Sequence, residues 1–409
     1  MSIDVHIDWR GEPVLAGRLY SSKNGPAVAF EYAPDWLARK DVFAIDPAFL
    51  PLGPGRHYSK TLFGAMQDCG PDRWGRTLIQ RAVRKGVLRQ KPYHDIDYAL
   101  ELEDVSRIGA LRFRVDANGP FLAPAERGLP PIVELAALKR ASDAILTETE
   151  TAKDLRFLLG YGSPLGGARP KSAVRLQDKR LGIAKFPKPD DVRNIAAGEV
   201  LGLELAREAQ IEVADHELLT IEGHGVALIT RFDRDGDDRI PFVSGASLLA
   251  VPPGELASYA QLADAIRQYG HDVAADLTQL WRRMVFSLLA SNYDDHLRNH
   301  GFLMRESGRW SLSPAYDINP TPEVDRSDIN KTPISEDQTD LSITSALGVA
   351  PRFGLKPNGA RNILDEVLSA VIRWEEVAHR LKLKSSISES YSTAFIHPLV
   401  DEAKKLLGK

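Results

Sequence analysis

The chain of 409 residues is longer than one hydrophobic core ordinarily supports, which predicts two or three packed units. Its hydrophobic content of 43% and charged content of 26% are typical of a folded, water-soluble protein. The net charge of only −4 argues against a protein that coats nucleic acid by itself, because neutralising phosphates takes a clear basic excess.

The single cysteine, Cys69, excludes an internal disulfide and favours a reducing compartment. The N-terminal residues contain acids and an early turn where a signal peptide needs a basic start and an apolar core. No apolar run approaches the roughly 20 residues that span a bilayer. The sequence therefore predicts a cytoplasmic protein.

Residues 1–125 contain mostly short strands and turns, and a helix is predicted from Asp72 to about Lys85. The apolar side of this helix carries Trp74, Leu78, Ile79 and Ala82. Several prolines between 120 and 131 mark a break, and a helix over about 132–147 follows.

The middle of the chain predicts a small sheet with one helix. Its elements are, in order, strands 172–177 and 180–186, a helix over about 194–210, and strands 216–223 and 226–234. Asp178 and Lys179 form the predicted turn between the first two strands.

The remainder is mainly helical. Helices are predicted over 259–269, 274–291, 358–382 and 387–408, and a polar loop with a short hairpin follows the second of them. This layout indicates an α+β fold with two lobes and a cleft between them. The predicted segments are 1–125, 126–234 and 235–409.

A glycine-rich loop, SPLGGARPK over residues 163–171, precedes the first hairpin. Adjacent glycines let backbone N–H groups converge on an anion, and nearby basic side chains add positive charge. The candidate phosphate-binding residues are Gly166, Gly167, Ala168, Arg169 and Lys171. The alternative is a plain glycine turn beside a strand, since the loop matches neither the Walker nor the dinucleotide pattern.

A strand lysine and a helix glutamate form a second pair of candidates. Lys185 ends the strand 180–186, and Glu199 stands in the helix that follows. Kinase folds use such a glutamate to orient a lysine toward the α/β-phosphates. A lysine pointing to water is the alternative for Lys185. Glu204 is a rival for Glu199, which we prefer because it lies nearer the start of the helix.

The loop DDHLRN after the helix 274–291 repeats the Asp-x-x-x-x-Asn spacing of a kinase catalytic loop, with Asp294 and Asn299. In that interpretation the aspartate accepts the proton of the attacking hydroxyl and the asparagine oxygen holds magnesium. Asp317, after the hairpin, is placed as the second magnesium ligand. The alternatives are a polar helix end for the loop and a turn aspartate for Asp317. The order of the five signals along the chain is that of a kinase.

On these motifs the chain resembles the HipA-like kinase family. SPLGGARPK resembles its phosphate loop, IAKFP its ATP-lysine strand, LITRFDR its hinge, NYDDHLRNHGFL its catalytic loop and LSPAYDINPT its metal-binding turn. GRLYSSKNGPAVAFEY and DCGPDRWGRTLI resemble its N-terminal subdomain. The resemblance covers most of the chain and is weakest after about residue 330. It implies a two-lobed protein-kinase-like fold with an extra strand-rich N-terminal subdomain and a helical C-terminal lobe.

The resemblance also implies residue roles. Asp294 becomes the catalytic base, Asn299 and Asp317 the magnesium ligands, and Lys185 the phosphate-contacting lysine. Adenine would be held through backbone groups of the hinge, and His296 would pack the catalytic loop beside the nucleotide. The further residues expected to bind ATP are thus Glu199, Thr230, Phe232, Asp233 and His296.

As family members are, the chain is expected to be a serine/threonine protein kinase that uses ATP and Mg²⁺. The family's kinases are toxins that phosphorylate translation proteins such as aminoacyl-tRNA synthetases. A small DNA-binding antitoxin of HipB type commonly holds them, so DNA is contacted only through that partner. The family's autophosphorylated serine aligns with Pro164, and Ser163 lies one residue earlier. Modification at Ser163 is therefore an open expectation.

Two other functions compete with this interpretation. A metal-dependent phosphohydrolase could use Asp294, Asp295, His296 and Asp317 to bind a metal that activates water. That alternative leaves the glycine loop and Lys185 without a role. A non-catalytic protein that only sequesters a partner is the third possibility, and the intact catalytic-loop pattern argues against it.

Overall fold

The beginning of the chain forms a five-stranded antiparallel sheet with the strand order β4-β3-β2-β1-β5. Its strands are β1 (Ser2–Trp9), β2 (Glu12–Ser21), β3 (Val28–Tyr32), β4 (Arg56–Ser59) and β5 (Leu111–Arg114). Ile3, Val5 and Ile7 of the inner strand β1 are at most 1% exposed. The strand-rich beginning that the sequence predicted is therefore present.

The protein is known from a computed structural model. The structure describes residues 2–22, 25–122, 130–159, 167–252, 254–326, 331–338 and 340–409. Ser163, Pro164 and Gly166, for which the sequence predicted roles, lie outside the described residues.

The chain divides into two compact units. The first consists of Met1–Asp190, Leu219–Ala250 and Glu306–Gly308, and the second of Asp191–Leu218, Val251–Arg305 and Arg309–Lys409. The division into segments 1–125, 126–234 and 235–409 stays a prediction.

The remaining strands within the described residues are β6 (Lys171–Arg175), β7 (Leu181–Lys185), β8 (His216–Ile221), β9 (His224–Thr230), β10 (Arg234–Asp235), β11 (Asp238–Arg239), β12 (Phe242–Ser244), β13 (Gly301–Glu306) and β14 (Arg309–Leu312). Strands β6 and β7 pair antiparallel, and β9 pairs with β7. The hairpin turns at Asp178 and Lys179, and Lys179 has a φ of 70°. The predicted hairpin and its turn are confirmed.

The α-helices of the described residues are α1 (Pro34–Leu37), α2 (Gly64–Asp68), α3 (Arg73–Arg84), α4 (Asp95–Glu101), α5 (Leu135–Leu146), α6 (Ala152–Leu159), α7 (Ile195–Glu208), α8 (Gly245–Leu248), α9 (Tyr259–Tyr269), α10 (Val273–Leu289), α11 (Ile343–Val349), α12 (Pro357–Val371), α13 (Trp374–Arg380), α14 (Ser385–Glu389), α15 (Ser392–Phe395) and α16 (Pro398–Leu407).

The core of the first unit joins helices α3, α5 and α6 to the sheet β6-β7-β9. Its buried members are Trp74, Leu78, Ala82, Leu135, Leu138, Ala141, Ile145, Leu155, Leu158, Val174, Ala184, Phe186, Val226 and Leu228. Each fully buried large apolar side chain stabilises the fold by roughly 1.5–3 kcal/mol relative to its exposed state. Helix α3, which lies between β4 and β5 in the chain, is thereby packed against this sheet.

The core of the second unit is built around the long helix α10, on which Trp281 and Leu289 are fully buried. Helix α7 packs closely in the same unit through two glycines. A Cβ at Gly198 would lie 2.3 Å from the Tyr391 ring, and one at Gly202 would lie 2.8 Å from Pro320. These close approaches hold α7 in place.

The end of the chain differs from the sequence prediction. The helix expected over 358–382 is two helices, because α12 ends at Val371 and α13 begins at Trp374. The helix expected over 387–408 is three short ones. Pro398 is the first residue of α16, where its missing N–H needs no helical partner.

Candidate functional site

The described part of the glycine-rich loop begins at Gly167, which has a φ of +122°. Residues with a side chain rarely adopt this conformation. A Cβ at this position would also lie 3.0 Å from Lys171 Nζ, so the loop passes directly over the lysine. The backbone conformation therefore favours glycine here, and a side chain would also displace the Lys171 ammonium.

Lys171 is held by an aspartate of the strand-rich beginning. Its Nζ lies 2.8 Å from Asp72 Oδ2, and both side chains are 2% exposed. Asp72 also caps helix α3, since its Oδ1 accepts a hydrogen bond of 2.7 Å from the Gly75 N–H. The Trp74 N–H donates to the Gly167 carbonyl over 3.2 Å. The start of α3 is therefore bonded to the loop at two points.

Lys171 and Lys185 are directly opposite each other in the β6–β7 pair. Directly opposed residues of an antiparallel pair share one face of the sheet, and like charges there repel. Asp72 supplies one negative charge at this end of the sheet. The ion pair with Asp72 neutralises Lys171, which allows two lysines to share one face at this end of the sheet.

The segment predicted to be the hinge begins at the end of β9, where Thr230 pairs with Gly182. The carboxylate of Asp233 is 1% exposed and accepts hydrogen bonds from Arg231, Arg234 and the Gly109 N–H. Burial alone would raise the pKa of Asp233, but the two guanidinium charges outweigh it and hold that pKa well below its usual range. This carboxylate therefore stabilises the interior of the first unit, and its role in nucleotide binding stays a prediction.

In the second unit, two neighbouring aspartates follow helix α10. The side chain of Asp294 is 57% exposed, whereas that of Asp295 is 7% exposed. The short 3₁₀-helix Leu297–Asn299 comes directly afterwards, with His296 as its N-cap. The loop therefore presents Asp294 to solvent while Asp295 points into the unit.

Asp295 is the centre of a buried polar cluster. It accepts hydrogen bonds from the Tyr259 hydroxyl and, over 3.0 Å, from the Ser287 hydroxyl, and His300 Nε2 lies 3.1 Å away. Burial alone would raise the pKa of Asp295, but the pairing with His300 and these hydrogen bonds lower it. The aspartate therefore fixes the loop from below and is not available for chemistry at the surface.

The side-chain oxygen of Asn299 is buried without a hydrogen-bond donor among the described residues. The side chain is buried, and its Nδ2 donates to the Asp294 carbonyl over 3.3 Å. Its Oδ1 has no hydrogen-bond partner within the described residues. A buried amide oxygen without a donor is unfavourable, so this atom suits a ligand that accepts its lone pair, such as a cation.

Asp317 lies in a turn that is bonded to the segment 292–299, which contains the predicted catalytic loop. Tyr316 donates to the Arg298 carbonyl over 2.8 Å, and the Asn319 N–H donates to Asn292 Oδ1 over 3.0 Å. Asp317 has a φ of 57°, a left-handed conformation that is uncommon for a residue with a side chain.

A small cavity lies beneath the loop and this turn. It measures about 20 Å³, enough for about one water molecule. Its wall includes Asn292, Asp295, Asn299, His300, Tyr316 and Ile318. Asn299 and both chain neighbours of Asp317 therefore line one cavity.

Two residues that the sequence did not indicate contact the predicted catalytic loop. Lys331 Nζ forms an ion pair with Asp294 Oδ1. The fully buried Thr332 donates a hydrogen bond of 2.6 Å from its hydroxyl to the Asp295 carbonyl. These residues lie far downstream of the loop, and a single sequence contains no pattern that links them to it.

The remaining residues with predicted roles are divided between the two units. Lys185 belongs to the first unit and Glu199, which is 3% exposed on α7, to the second, so their pairing stays a prediction. His296 bonds within the loop, because its carbonyl accepts from the Asn299 N–H over 2.7 Å. Ala168 is exposed and Arg169 is half-buried.

The structure weakens the phosphohydrolase alternative. Asp295, which that alternative needs as a metal ligand, is engaged by Tyr259, Ser287 and His300. Within the described ranges, no group of three or more histidine, cysteine, aspartate and glutamate side chains is arranged to hold a metal ion. A site built from Asn299 and Asp317 does not need such a group, since magnesium is usually bound by one or two protein oxygens together with substrate phosphates.

Among the described helices, none combines the length and the apolar character that crossing a bilayer requires.

Comparison with known proteins identifies the family. The family model of the HipA-like C-terminal domain matches residues 163–374, more than half of the chain, so the chain belongs to this family. HipA of Shewanella oneidensis MR-1, solved in a complex with HipB and its operator DNA, matches with a TM-score of 0.71 over 99% of this chain and 97% of that chain. At a sequence identity of 18%, this structural similarity shows a shared fold.

Two curated relatives have kinase names. "Putative kinase" of Haemophilus influenzae is 26% identical over 218 residues, which are 47% of this chain and 63% of the relative. "Putative kinase Y4dM" of Sinorhizobium fredii is 28% identical over 149 residues, which are 33% of this chain and 36% of the relative. The matched regions thus span less than two thirds of either relative.

These findings confirm the predicted resemblance to the HipA-like family. They also confirm the predicted α+β, two-lobed kinase-like fold.

Proposed function

We propose that this protein is an ATP- and Mg²⁺-dependent serine/threonine protein kinase of HipA type. One observation carries the proposal. The catalytic loop exposes Asp294, and five positions later it buries Asn299 with an amide oxygen that lacks a hydrogen-bond donor within the described residues. An exposed carboxylate beside a buried, unsatisfied oxygen is the pair that a kinase loop needs.

Asp294 acts as the catalytic base in this proposal. Its carboxylate takes the proton of a substrate hydroxyl while the hydroxyl oxygen bonds to the γ-phosphorus of ATP. The bond from that phosphorus to the β–γ bridging oxygen breaks, and ADP leaves with the electron pair. Because Asp295 is held from below by Tyr259 and Ser287, the backbone that carries Asp294 is already fixed before the substrate binds.

Asn299 and Asp317 would hold magnesium through oxygen atoms, which are the ligands this ion prefers. The donor set fits, because Asn299 Oδ1 is a buried acceptor and Asp317 lies in a turn bonded to the same loop. When bound, magnesium neutralises charge on the transferring phosphates.

The residues that would bind the nucleotide lie mainly in the first unit. Lys185 would contact the α/β-phosphates, with Glu199 orienting it. Gly166, Gly167 and Ala168 would offer backbone N–H groups, and Arg169 would add charge. Lys171 would add its positive charge to the phosphate-binding loop from beneath. Thr230, Phe232 and the hinge backbone would contact adenine, and His296 would pack beside the nucleotide.

The biological role follows from the family. We propose a toxin that phosphorylates a translation protein such as an aminoacyl-tRNA synthetase. A small DNA-binding antitoxin of HipB type would be its partner, and DNA would be bound only through it. The similar structure from Shewanella oneidensis, which was solved with HipB and operator DNA, supports this proposal. Ser163 is the proposed site of self-modification, and cytoplasm is the proposed compartment.

The proposal is tested by phosphate transfer from γ-labelled ATP to proteins of a bacterial lysate. The purified wild-type protein should label a small number of proteins on serine or threonine, and EDTA should stop this until magnesium is restored. Asp317→Asn should lose transfer and magnesium-dependent binding of a non-hydrolysable ATP analogue. Full transfer by Asp317→Asn, or full transfer in EDTA, would contradict the proposal.

The partner is tested separately. Expression of the wild type should arrest growth, and Asp294→Ala should not. Co-expression of a small DNA-binding protein encoded next to it should relieve the arrest and co-purify with the chain. Equal arrest by the wild type and Asp294→Ala would favour sequestration of a partner over catalysis.

A further inference from the structure

The cation beside the catalytic aspartate comes from outside the catalytic loop. Lys331 Nζ pairs with Asp294 Oδ1, although the residues are 37 positions apart. The lysine is 49% exposed and the aspartate 57%, so both remain accessible to a substrate. The transfer reaction brings phosphate charge to this same aspartate.

The position of Lys331 is fixed by its chain neighbours. Thr332 is fully buried and donates to the Asp295 carbonyl over 2.6 Å. The Tyr259 N–H, at the start of α9, donates to the Pro333 carbonyl over 2.9 Å. Tyr259 also holds Asp295 through its hydroxyl. One buried set of bonds therefore places both the backbone of the loop and the backbone of the lysine.

The ion pair itself contributes little to this placement. An exposed lysine–carboxylate pair typically stabilises a fold only weakly and is screened by salt. Buried main-chain hydrogen bonds anchor Lys331 beside the Asp294 carboxylate. The weak ion pair does not explain why the lysine is anchored there. A function in the reaction does explain it, because preorganised charge needs no rearrangement when the substrate reacts.

We propose that Lys331 is a positioning residue for phosphoryl transfer, which deepens and rests on the proposed kinase function. Its ammonium holds the Asp294 carboxylate in the orientation that accepts the hydroxyl proton. The ammonium has three donors, so it can keep one hydrogen bond to Asp294 and direct another toward the phosphoryl oxygens. Lys331 keeps its own proton throughout the step described above.

The test compares three lysine variants with the wild type. Lys331→Met keeps the length of the side chain and removes the charge, whereas Lys331→Arg keeps the charge. Lys409→Met is the matched control, because Lys409 pairs with Asp365 in the same unit at nearly the same exposure, 45% and 44%. Steady-state kinetics give kcat for a labelled substrate, and calorimetry gives the Kd of a non-hydrolysable ATP analogue with magnesium.

Lys331→Met should lower kcat by about 10- to 100-fold, less than the loss of a fully buried catalytic donor because water partly screens the site. Its Kd for the analogue should stay within about twofold of the wild type, because the lysine acts at the transfer step. Lys331→Arg should recover most of kcat, and Lys409→Met should match the wild type. Thr332→Val should lower kcat although Lys331 is intact, because the anchor of the segment is lost.

Three results would overturn the role of Lys331. These are an unchanged kcat in Lys331→Met, a Kd raised as much as kcat is lowered, and an arginine variant as slow as the methionine variant. All of them require a wild type that transfers phosphate. A wild type without transfer would instead overturn the proposed function, and the role of Lys331 with it.

Discussion

Two lysine–aspartate pairs in this protein have the same chemistry and opposite surroundings. In the first unit, Lys171 and Asp72 are each 2% exposed. In the second, Lys331 and Asp294 are about half exposed. Separating a buried pair leaves a charge without water, whereas separating an exposed pair returns both groups to solvent. Burial thus commits the first pair to the architecture, and exposure leaves the second pair free for chemistry.

The surroundings of each pair agree with this division. Asp72 also caps α3, and Lys171 lies under Gly167, so both members of the first pair have further structural contacts. Asp294 makes its side-chain contact with Lys331 at the surface, and only its backbone is tied to the loop. The Asp294 carboxylate is therefore exposed on a fixed backbone, with Lys331 as its side-chain partner.

The adjacent aspartates Asp294 and Asp295 of the proposed catalytic loop give the largest expected contrast. Asp294→Ala should lower phosphoryl transfer on the order of 10²- to 10⁴-fold, since a positioned base contributes about that much. Its unfolding free energy in urea should match that of the wild type. Asp295→Ala should instead destabilise the fold by about 3 kcal/mol, because Tyr259, Ser287 and His300 lose their buried partner.

Kinetics and urea unfolding of both variants check this prediction. If Asp294→Ala unfolded as easily as Asp295→Ala, or kept wild-type transfer, the contrast between exposed and buried carboxylates in this loop would be wrong.

Breaking the buried pair gives the next effect. Asp72→Asn keeps a good helix cap but leaves the Lys171 charge unmatched, so we expect a loss of about 3–5 kcal/mol in unfolding free energy. The double variant Asp72→Asn with Lys171→Met removes both charges and should recover part of that loss. A double-mutant cycle in urea isolates the coupling. Additive losses would show that the two residues do not stabilise each other.

The contrast between these pairs also indicates what a sequence reveals. The hairpin, its turn at Asp178 and Lys179, and the Asp-x-x-x-x-Asn loop depend on neighbours in the chain, and the sequence predicted them. Long-range packing brings Asp72 to Lys171 and Lys331 to Asp294. Such packing leaves no periodic pattern in the sequence. The breaks near Arg373 and His397 were missed because apolar spacing continues across them.

A buried acid for which the described residues provide no ion pair sharpens the comparison. Burial raises the pKa of Glu103, which is 5% exposed, from 4.5 to about 7, with nearby Asp104 adding to the shift. The folded protein therefore binds this proton more tightly than the unfolded chain does. Stability from this group falls as pH rises from about 4.5 to 7, by about 3 kcal/mol, and is constant above that range.

Glu103→Gln should remove this dependence. Relative to the wild type, the variant should gain about 3 kcal/mol in unfolding free energy between pH 4.5 and pH 7.5. Other titrating groups are shared by the two proteins and cancel in the difference. Urea unfolding across that range measures it, and a constant difference would show that Glu103 is ionised at the same pH in both states.

The smallest effect is expected at the exposed pair, and it decides whether Lys331 serves stability at all. Lys331→Met should change the unfolding free energy by less than about 1 kcal/mol at 50 mM salt. At 500 mM salt the change should fall further, because screening shortens the range of exposed charges. Lys409→Met, at matched exposure, should behave alike in both salts. A salt-independent loss of about 2 kcal/mol or more in Lys331→Met would show that the Lys331–Asp294 pair stabilises the fold as the buried Lys171–Asp72 pair does. Its lysine would then belong to the architecture, and any fall in kcat would have to be attributed to the weakened fold. A small, salt-screened change in stability together with slow phosphoryl transfer in Lys331→Met would instead show that the exposed pair serves the reaction and the buried pair serves the fold.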